Sequence, residues 1–158
     1  MLLSVEIYKE KKEENFRMVI LPTGRNKIGL RKIKDYGTIS YLNKKDSKKI
    51  GELILWALNE CDEEIIENET NIKWGKQYFN LNSNTKVVSE YNKIGFEHYD
   101  NKYELSLSMK DGYGYSPFKD KEGNECKCIF KEKPSAEELG KKVMEMFEFK
   151  ENYDNSNK

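Results

Sequence analysis

Histidine is almost absent from this chain of 158 residues: His98 stands alone. Any Ser-His-Asp or Cys-His arrangement would have to be built on that one side chain. It falls in Phe96-Glu97-His98-Tyr99, a strand-like stretch, where a hydrogen-bonded or exposed structural histidine is the simpler reading. Cysteine is scarce too, at three residues: Cys61, Cys126 and Cys128. An odd number without framework spacing fits a reducing compartment rather than a disulfide scaffold. A zinc site needs about four ligands. Cys126 and Cys128 share a face of a strand by their spacing of two, as a pair of small core residues would. No metal and no cofactor is expected. No apolar run approaches the length of a membrane span. The N-terminal stretch MLLSVEIYKEKKEE lacks the basic and apolar regions of a secretory signal, so a cytoplasmic location is expected. A net charge is missing as well, since Lys+Arg and Asp+Glu both number 28. A dedicated nucleic-acid binder carries a basic excess, and this chain has none.

Present instead are clustered apolar residues within a polar chain, and ten tyrosines. Leu2 to Tyr8 alternates around Leu3, Val5 and Ile7. That period predicts a strand, followed by others over Phe16 to Leu21, Lys27 to Lys34 and Thr38 to Leu42. Thr23-Gly24-Arg25-Asn26 reads as a turn between them. The connections are too short for parallel crossovers, so an antiparallel meander is expected. Asp46 or Ser47 then caps a helix whose apolar positions, Ile50, Leu53, Ile54, Ala57, Leu58 and Cys61, follow the three-four spacing of one buried face.

Further along, Ile72 to Phe79 reads as a strand, and Asn82 or Ser83 as the cap of a short helix through Val87, Val88 and Tyr91. Gly95 to Tyr99 and Tyr103 to Met109 read as a hairpin about Asp100-Asn101. Asp111 to Glu125 is a loop and Cys126 to Lys131 a last strand. Ser135 and Glu138 form a capping box for the closing helix. Residues 151–158 are polar and are expected to be a disordered tail.

The two long helices resemble each other. Aligning Gly51 with Gly140 pairs Ile50 with Leu139, Ile54 with Val143, Ala57 with Met146 and Leu58 with Phe147. The same offset carries Thr38-Ile39-Ser40-Tyr41 onto Lys127-Cys128-Ile129-Phe130. The expectation is an α+β fold in a single domain over residues 1–150. Its halves, about 1–61 and 71–149, are each four antiparallel strands and a covering helix, a ββββα unit. A glycine inside a helix costs about 1 kcal/mol relative to alanine. Gly51 and Gly140 therefore point to helices that approach a neighbouring backbone closely.

Two stretches are candidates for binding. Glu60, Asp62, Glu63, Glu64 and Glu67 occur with no Lys or Arg among them. They are read as a solvated face or as an electrostatic surface that steers a basic protein into register. The loop Asp111-Gly112-Tyr113-Gly114-Tyr115 lacks the Gly-Lys-Ser/Thr ending of a phosphate-binding loop. Tyr113 and Tyr115 make it either a flexible connection or an aromatic binding loop. Tyr36, Tyr41, Tyr99 and Tyr103 are spread along strands. On an open sheet such rings would suit single-stranded nucleic acid, which stays the alternative function.

From Asn84 the chain runs NTKVVSEYNKIGFEHYDNKYELSLSMKDG, then a glycine-containing loop, a short strand and PSAEELGKKVMEMFEF. This resembles the contact-dependent growth inhibition immunity proteins. The matching residues are Lys86, Tyr91, Leu105, Lys110, Gly112, Ser135, Glu138, Leu139 and Gly140. The resemblance covers Asn84 to Phe147 and extends to the first half in outline. It implies a small cytosolic protein without catalytic activity, which binds the C-terminal toxin domain of a contact-delivered effector and blocks its active site. Such toxins are often nucleases, commonly RNases. The resemblance also implies an antiparallel α+β fold with duplicated sheet-plus-helix halves, related to single-stranded nucleic-acid binders. It supplies no binding residue. The acidic run and Tyr113 with Tyr115 are therefore the interface expected from their chemistry alone.

Overall fold

The alternation at the N-terminus becomes β1 (Leu3–Glu10) and β2 (Phe16–Leu21). The computed structural model describes residues 2–67 and 74–158, of Trp74 the backbone alone. Next come β3 (Thr23–Arg25), β4 (Arg31–Ile33), β5 (Thr38–Leu42) and the first long helix, α1 (Ser47–Glu60). Two short helices follow, α2 (Trp74–Phe79) and α3 (Asn84–Glu90). The chain continues through β6 (Tyr91–Tyr99), β7 (Lys102–Asp111), β8 (Gly114–Pro117) and β9 (Lys127–Phe130), and closes with α4 (Ala136–Ser156). The fold is α+β.

The main sheet is antiparallel throughout, with strands in the order β5-β2-β1-β6-β7. β7 is long enough to pair with β9 over Tyr103–Ser106 and with β8 over Ser108–Asp111. The seam between the two halves is the β1–β6 pair, in register from Leu3 opposite His98 to Glu10 opposite Tyr91. One face of the sheet carries Val5, Ile7, Phe16, Met18, Ile20, Ile94, Phe96, Leu105 and Leu107 under α1 and α4. The opposite face is covered only in part, where Tyr8, Val19, Leu21 and Tyr91 pack against Tyr78, Phe79 and Val87 of α2 and α3. Arg17 on β2 ties α2 down, its guanidinium donating to the carbonyls of Phe79 at 2.5 Å and Tyr78 at 2.8 Å.

The two long helices match as the sequence suggested. Ile50, Gly51, Ile54, Ala57 and Leu58 are the buried residues of α1, and their counterparts Leu139, Gly140, Val143, Met146 and Phe147 are all buried in α4. The helices cross backbone to backbone. A Cβ on Gly51 would lie 1.7 Å from the Ala136 carbonyl oxygen, and one on Gly140 would lie 1.6 Å from that of Ser47. The strands match less simply. Ser40 and Leu42 are inward on β5, and Cys128 and Phe130 on β9, whereas Ile39, Tyr41 and Ile129 are exposed. The sequence alignment therefore sets β5 and β9 one residue out of phase, which exchanges their faces. The expected four-strand unit is also not what the sheet contains. β3 and β4 form a separate two-stranded sheet, and β8 is a side hairpin on β7.

Several local expectations are corrected. Thr23–Arg25 is a strand, and the turn falls at Lys27–Leu30, where Asn26 Oδ1 accepts from the N–H groups of Ile28 and Leu30 and Gly29 takes φ 90°. Ile28 and Leu30, read as strand core, are consequently exposed at 81% and 59%. Ile72 and Lys73 lie outside the described residues, and the rest of that expected strand is α2. Asp46 stands at the N-cap of α1 as expected, but makes no side-chain capping bond there; its carboxylate accepts from the Asn43 N–H at 2.8 Å within a 3-10 turn. Ser135 caps α4, accepting from the Glu138 N–H at 3.1 Å. The expected tail is helical as far as Ser156, since Tyr153 packs edge-on against Phe118 and Lys150 pairs with Asp154 one turn away.

Candidate partner-binding surface

The acidic run leaves α1 as an extended segment rather than continuing the helix. Glu60 closes α1 half-buried, and Asp62, Glu63, Glu64 and Glu67 are exposed. The segment lies along β3 as a short parallel addition: Arg25 N–H donates to the Glu64 carbonyl at 2.9 Å, and Ile66 N–H to the Arg25 carbonyl at 2.8 Å. That pairing places the carboxylates against the basic side chains of the β3–β4 hairpin. Glu63 meets Arg25 at 2.9 Å and Arg31 at 3.5 Å. Lys34 meets Asp62 at 2.8 Å and Glu64 at 3.4 Å, and Lys27 meets Glu67 at 3.7 Å.

A run that is purely acidic in sequence is thus a row of ion pairs in space. Lys34 is buried beneath it. Burial alone would lower its ammonium, but hydrogen bonds to Asp62 and Tyr36 outweigh that and raise it well above its usual range. The Lys34 hydrogen bond, followed by the Glu64 N–H, holds the Asp62 carboxyl below its usual range. Next to these pairs the hairpin turn exposes Ile28 and Leu30, and the acidic segment exposes Ile65 at 45%. A groove of about 300 Å³ runs between Ile28 and Ile66, with Lys27 and Glu67 at its sides. The surface is an apolar tip rimmed by paired charges. Arg25, Arg31, Lys34, Ile28 and Leu30 were missed in the sequence because the hairpin was read as a turn and a core strand.

The two tyrosines separate into different roles. Tyr113 sits at the β7–β8 turn and is 84% exposed. Tyr115 is half-buried; its hydroxyl donates to the Tyr91 carbonyl at 2.9 Å, and its ring lies 5.9 Å from that of Tyr8. Burial, reinforced by Glu6, raises the Tyr115 phenol far above its usual range. The acidic segment and the tyrosine turn are not brought together. Cys61 at the end of α1 donates to the Ser4 carbonyl, whereas Tyr115 reaches Tyr91, the partner of Glu10. Six residues of β1, about 20 Å, separate those levels.

The remaining chemical candidates make packing contacts. His98 stacks on Tyr103 with ring centroids 4.0 Å apart and planes at 6°. Cys126 and Cys128 pack against the helix-side core, and burial raises both thiols, which disfavours the nucleophilic thiolate. Among the described residues no three His, Cys, Asp or Glu side chains are placed to hold a metal ion, and no helix is long and apolar enough to cross a membrane. On the sheet face away from α1 and α4, Glu6, Glu97 and Glu104 share a shallow groove of about 330 Å³ with Lys93 and Lys127.

Comparison with known proteins bears on the fold. No protein-family model matches the sequence. No curated protein matches it either. The fold is shared with solved structures. A protein of unknown function, NMB0488 from Neisseria meningitidis, superimposes with a TM-score of 0.61 at 11% identity, covering 89% of this chain and 90% of its own. A chain of the CdiA-CT/CdiI toxin and immunity complex from Yersinia pseudotuberculosis superimposes with a TM-score of 0.59 at 8% identity, covering 89% and 92%. In both cases about nine tenths of each chain is matched, so the likeness extends over most of the sheet-and-helix arrangement.

Proposed function

We propose that this chain is a contact-dependent growth inhibition immunity protein, which binds a cognate toxin domain in the cytoplasm and performs no reaction itself. The observation that carries this reading is the full-length likeness to a chain of a toxin and immunity complex. It agrees with the resemblance found in the second half of the sequence. The toxin is proposed to be a nuclease, commonly an RNase in such systems, neutralised by covering its active site.

The proposed contact surface is the β3–β4 hairpin with the acidic segment: Glu60, Asp62, Glu63, Glu64 and Glu67, together with exposed Ile28, Leu30 and Ile65. An apolar centre bounded by charges suits a protein interface. The paired carboxylates supply register more than bulk attraction, because each already has a cationic neighbour. Tyr113 forms a second, separate contact, and Tyr115 supports the turn that presents it. The nucleic-acid alternative is disfavoured by the open sheet face, where Glu6, Glu97 and Glu104 outnumber Lys93 and Lys127. A phosphate backbone requires the opposite balance.

The two halves are further proposed to be a duplicated unit. The exchange of Ala136 and Ser47 between the two glycines supports this, as does the common set of buried helix positions.

Co-expression of the full chain with the toxin domain encoded beside its gene tests the function. A tight complex with toxin activity abolished is the expected result. Failure to bind and to protect cells from that toxin would overturn the proposal.

A further inference from the structure

At the far end of the helix-side core the sheet ceases to be apolar. Lys9 of β1 and Asn92 of β6 are direct neighbours in register and face the last turns of α4. Lys9 is satisfied there: its ammonium donates to the carbonyls of Glu10 and Lys12 and to Glu151, and lies 4.4 Å from the centre of the Phe16 ring. Asn92 is not. It is 4% exposed, and its Nδ2 has no hydrogen-bond partner among the described residues. A buried N–H2 without an acceptor is an uncompensated cost.

Asn92 lines a groove of about 590 Å³ bounded by the β1–β2 turn, the end of β7 and the last turns of α4. Lys11, Lys110 and Lys150 stand around it. Lys150 is paired with Asp154 at 2.5 Å, and Lys11 donates to the Ser89 carbonyl at 2.9 Å. The Lys110 ammonium makes no hydrogen bond or ion pair with any described residue, although its backbone pairs with Tyr115. Burial, then the neighbouring Lys150 and Lys110, pull the Lys11 ammonium below its usual range, against the opposing influence of Asp154. Of the acidic side chains in the groove, Glu151, Asp154 and Glu148 are committed to Lys9, Lys150 and Lys44, and Glu13 makes no ion pair with a described residue. Six lysines line the groove against these four carboxylates, so it offers donors in excess of acceptors, over a floor that carries an orphaned donor.

We propose that this groove is an oxyanion site, in which the Asn92 amide and the Lys11 and Lys110 ammoniums hold one carboxylate or phosphate group. The amide gives the direction and the two ammoniums the charge, as in other charge-assisted recognition of such groups. The site is independent of the proposed toxin-binding surface, which lies on the β3–β4 hairpin.

The test is a titration of the isotope-labelled full chain by NMR, with inorganic phosphate in one series and glutarate in another, at constant ionic strength. A saturating shift of the Asn92 side-chain amide is expected, with an apparent Kd in the millimolar range. Saturation by phosphate alone points to a free phosphate ligand, and saturation by glutarate alone points to an acidic side chain of a bound protein. Lys110→Ala, at an exposed position, should weaken binding about tenfold without altering the fold. Asn92→Ala should abolish saturation, with the remaining backbone spectrum as the check on folding. Shifts that stay linear, or that are equal in wild type and Lys110→Ala, would mean an adventitious ion only and overturn the proposal.

Discussion

Gly51 and Gly140 are reciprocal across the crossing of α1 and α4. Each points at the backbone of the residue that lies four positions before the other: Gly51 at Ala136 and Gly140 at Ser47. Alanine is the better helix former by about 1 kcal/mol. Here a methyl group would meet a carbonyl oxygen at 1.7 or 1.6 Å, and backbone does not yield as a flexible side chain does. Forced separation of packed elements costs about 1–3 kcal/mol, sometimes more. Gly51→Ala and Gly140→Ala should each lower the urea midpoint, whereas Gly95→Ala, where an added Cβ meets nothing within 4 Å, should not. Equal stability for all three variants would contradict the close crossing.

The ion pairs on the β3–β4 hairpin give stability a pH dependence at both ends. The Asp62 pKa is lowered in the folded state, so its contribution is present above the usual value of 3.8 and lost as pH falls through the folded value. The Lys34 pKa is raised, so its contribution is present below 10.5 and lost as pH rises through the folded value. Asp62→Asn should flatten the acid limb of a plot of unfolding free energy against pH. Asp62 is half exposed, so the effect at neutral pH should stay below about 1 kcal/mol. An unchanged acid limb would show that the pair does not persist in solution.

The tyrosine turn separates binding from folding. Tyr115→Phe removes the hydroxyl from the Tyr91 and Val87 carbonyls and should cost about 1 kcal/mol of stability. Tyr113→Ala should leave the unfolding midpoint in place and, on the proposed function, weaken the complex with the toxin domain, measured by calorimetry. A Tyr113→Ala complex as tight as wild type would remove this turn from the interface.

How far the sequence carried is clearest from the helices and the hairpin. The buried faces of α1 and α4 were readable because a three-four spacing survives in any tertiary setting. The close approach was readable because a glycine inside a helix needs a reason. The basic partners of the acidic run were not readable. Arg25, Arg31 and Lys34 are adjacent to it only because residues 64–66 add to β3, and no local pattern encodes a single parallel bridge. The helical continuation beyond Asn152 was hidden for a related reason. Phe118, which receives Tyr153, comes from a distant loop. His98 was readable as a structural residue, although its stacking on Tyr103 depends on the β6–β7 register.

That stacking makes a prediction of its own. His98→Ala removes a ring from Tyr103 and should cost about 0.5–1.5 kcal/mol beyond the lost area. The proposed toxin neutralisation should be unaffected at temperatures where the variant is folded. Loss of protection by a folded His98→Ala would restore a chemical role to the only histidine.

The open sheet face holds a repulsion that substitution should relieve. Glu97 on β6 and Glu104 on β7 are directly opposite in register, and like charges so placed disfavour the pair. Burial, and then Glu104, raise the Glu97 carboxyl above its usual value of 4.5, with Lys127 and Lys93 acting against them. A carboxyl raised on folding binds protons more tightly in the native state. Its effect on stability is therefore nil at pH values below both pKa values and increasingly unfavourable as pH rises through 4.5 to the folded value. Glu97→Gln should accordingly stabilise the protein at neutral pH, and the gain should disappear on acidification below about pH 4. Chemical denaturation of the two proteins across that range measures it. A gain of the same size at low pH would attribute the stabilisation to packing and not to charge, and no gain at neutral pH would mean that Lys93 and Lys127 already offset the pair.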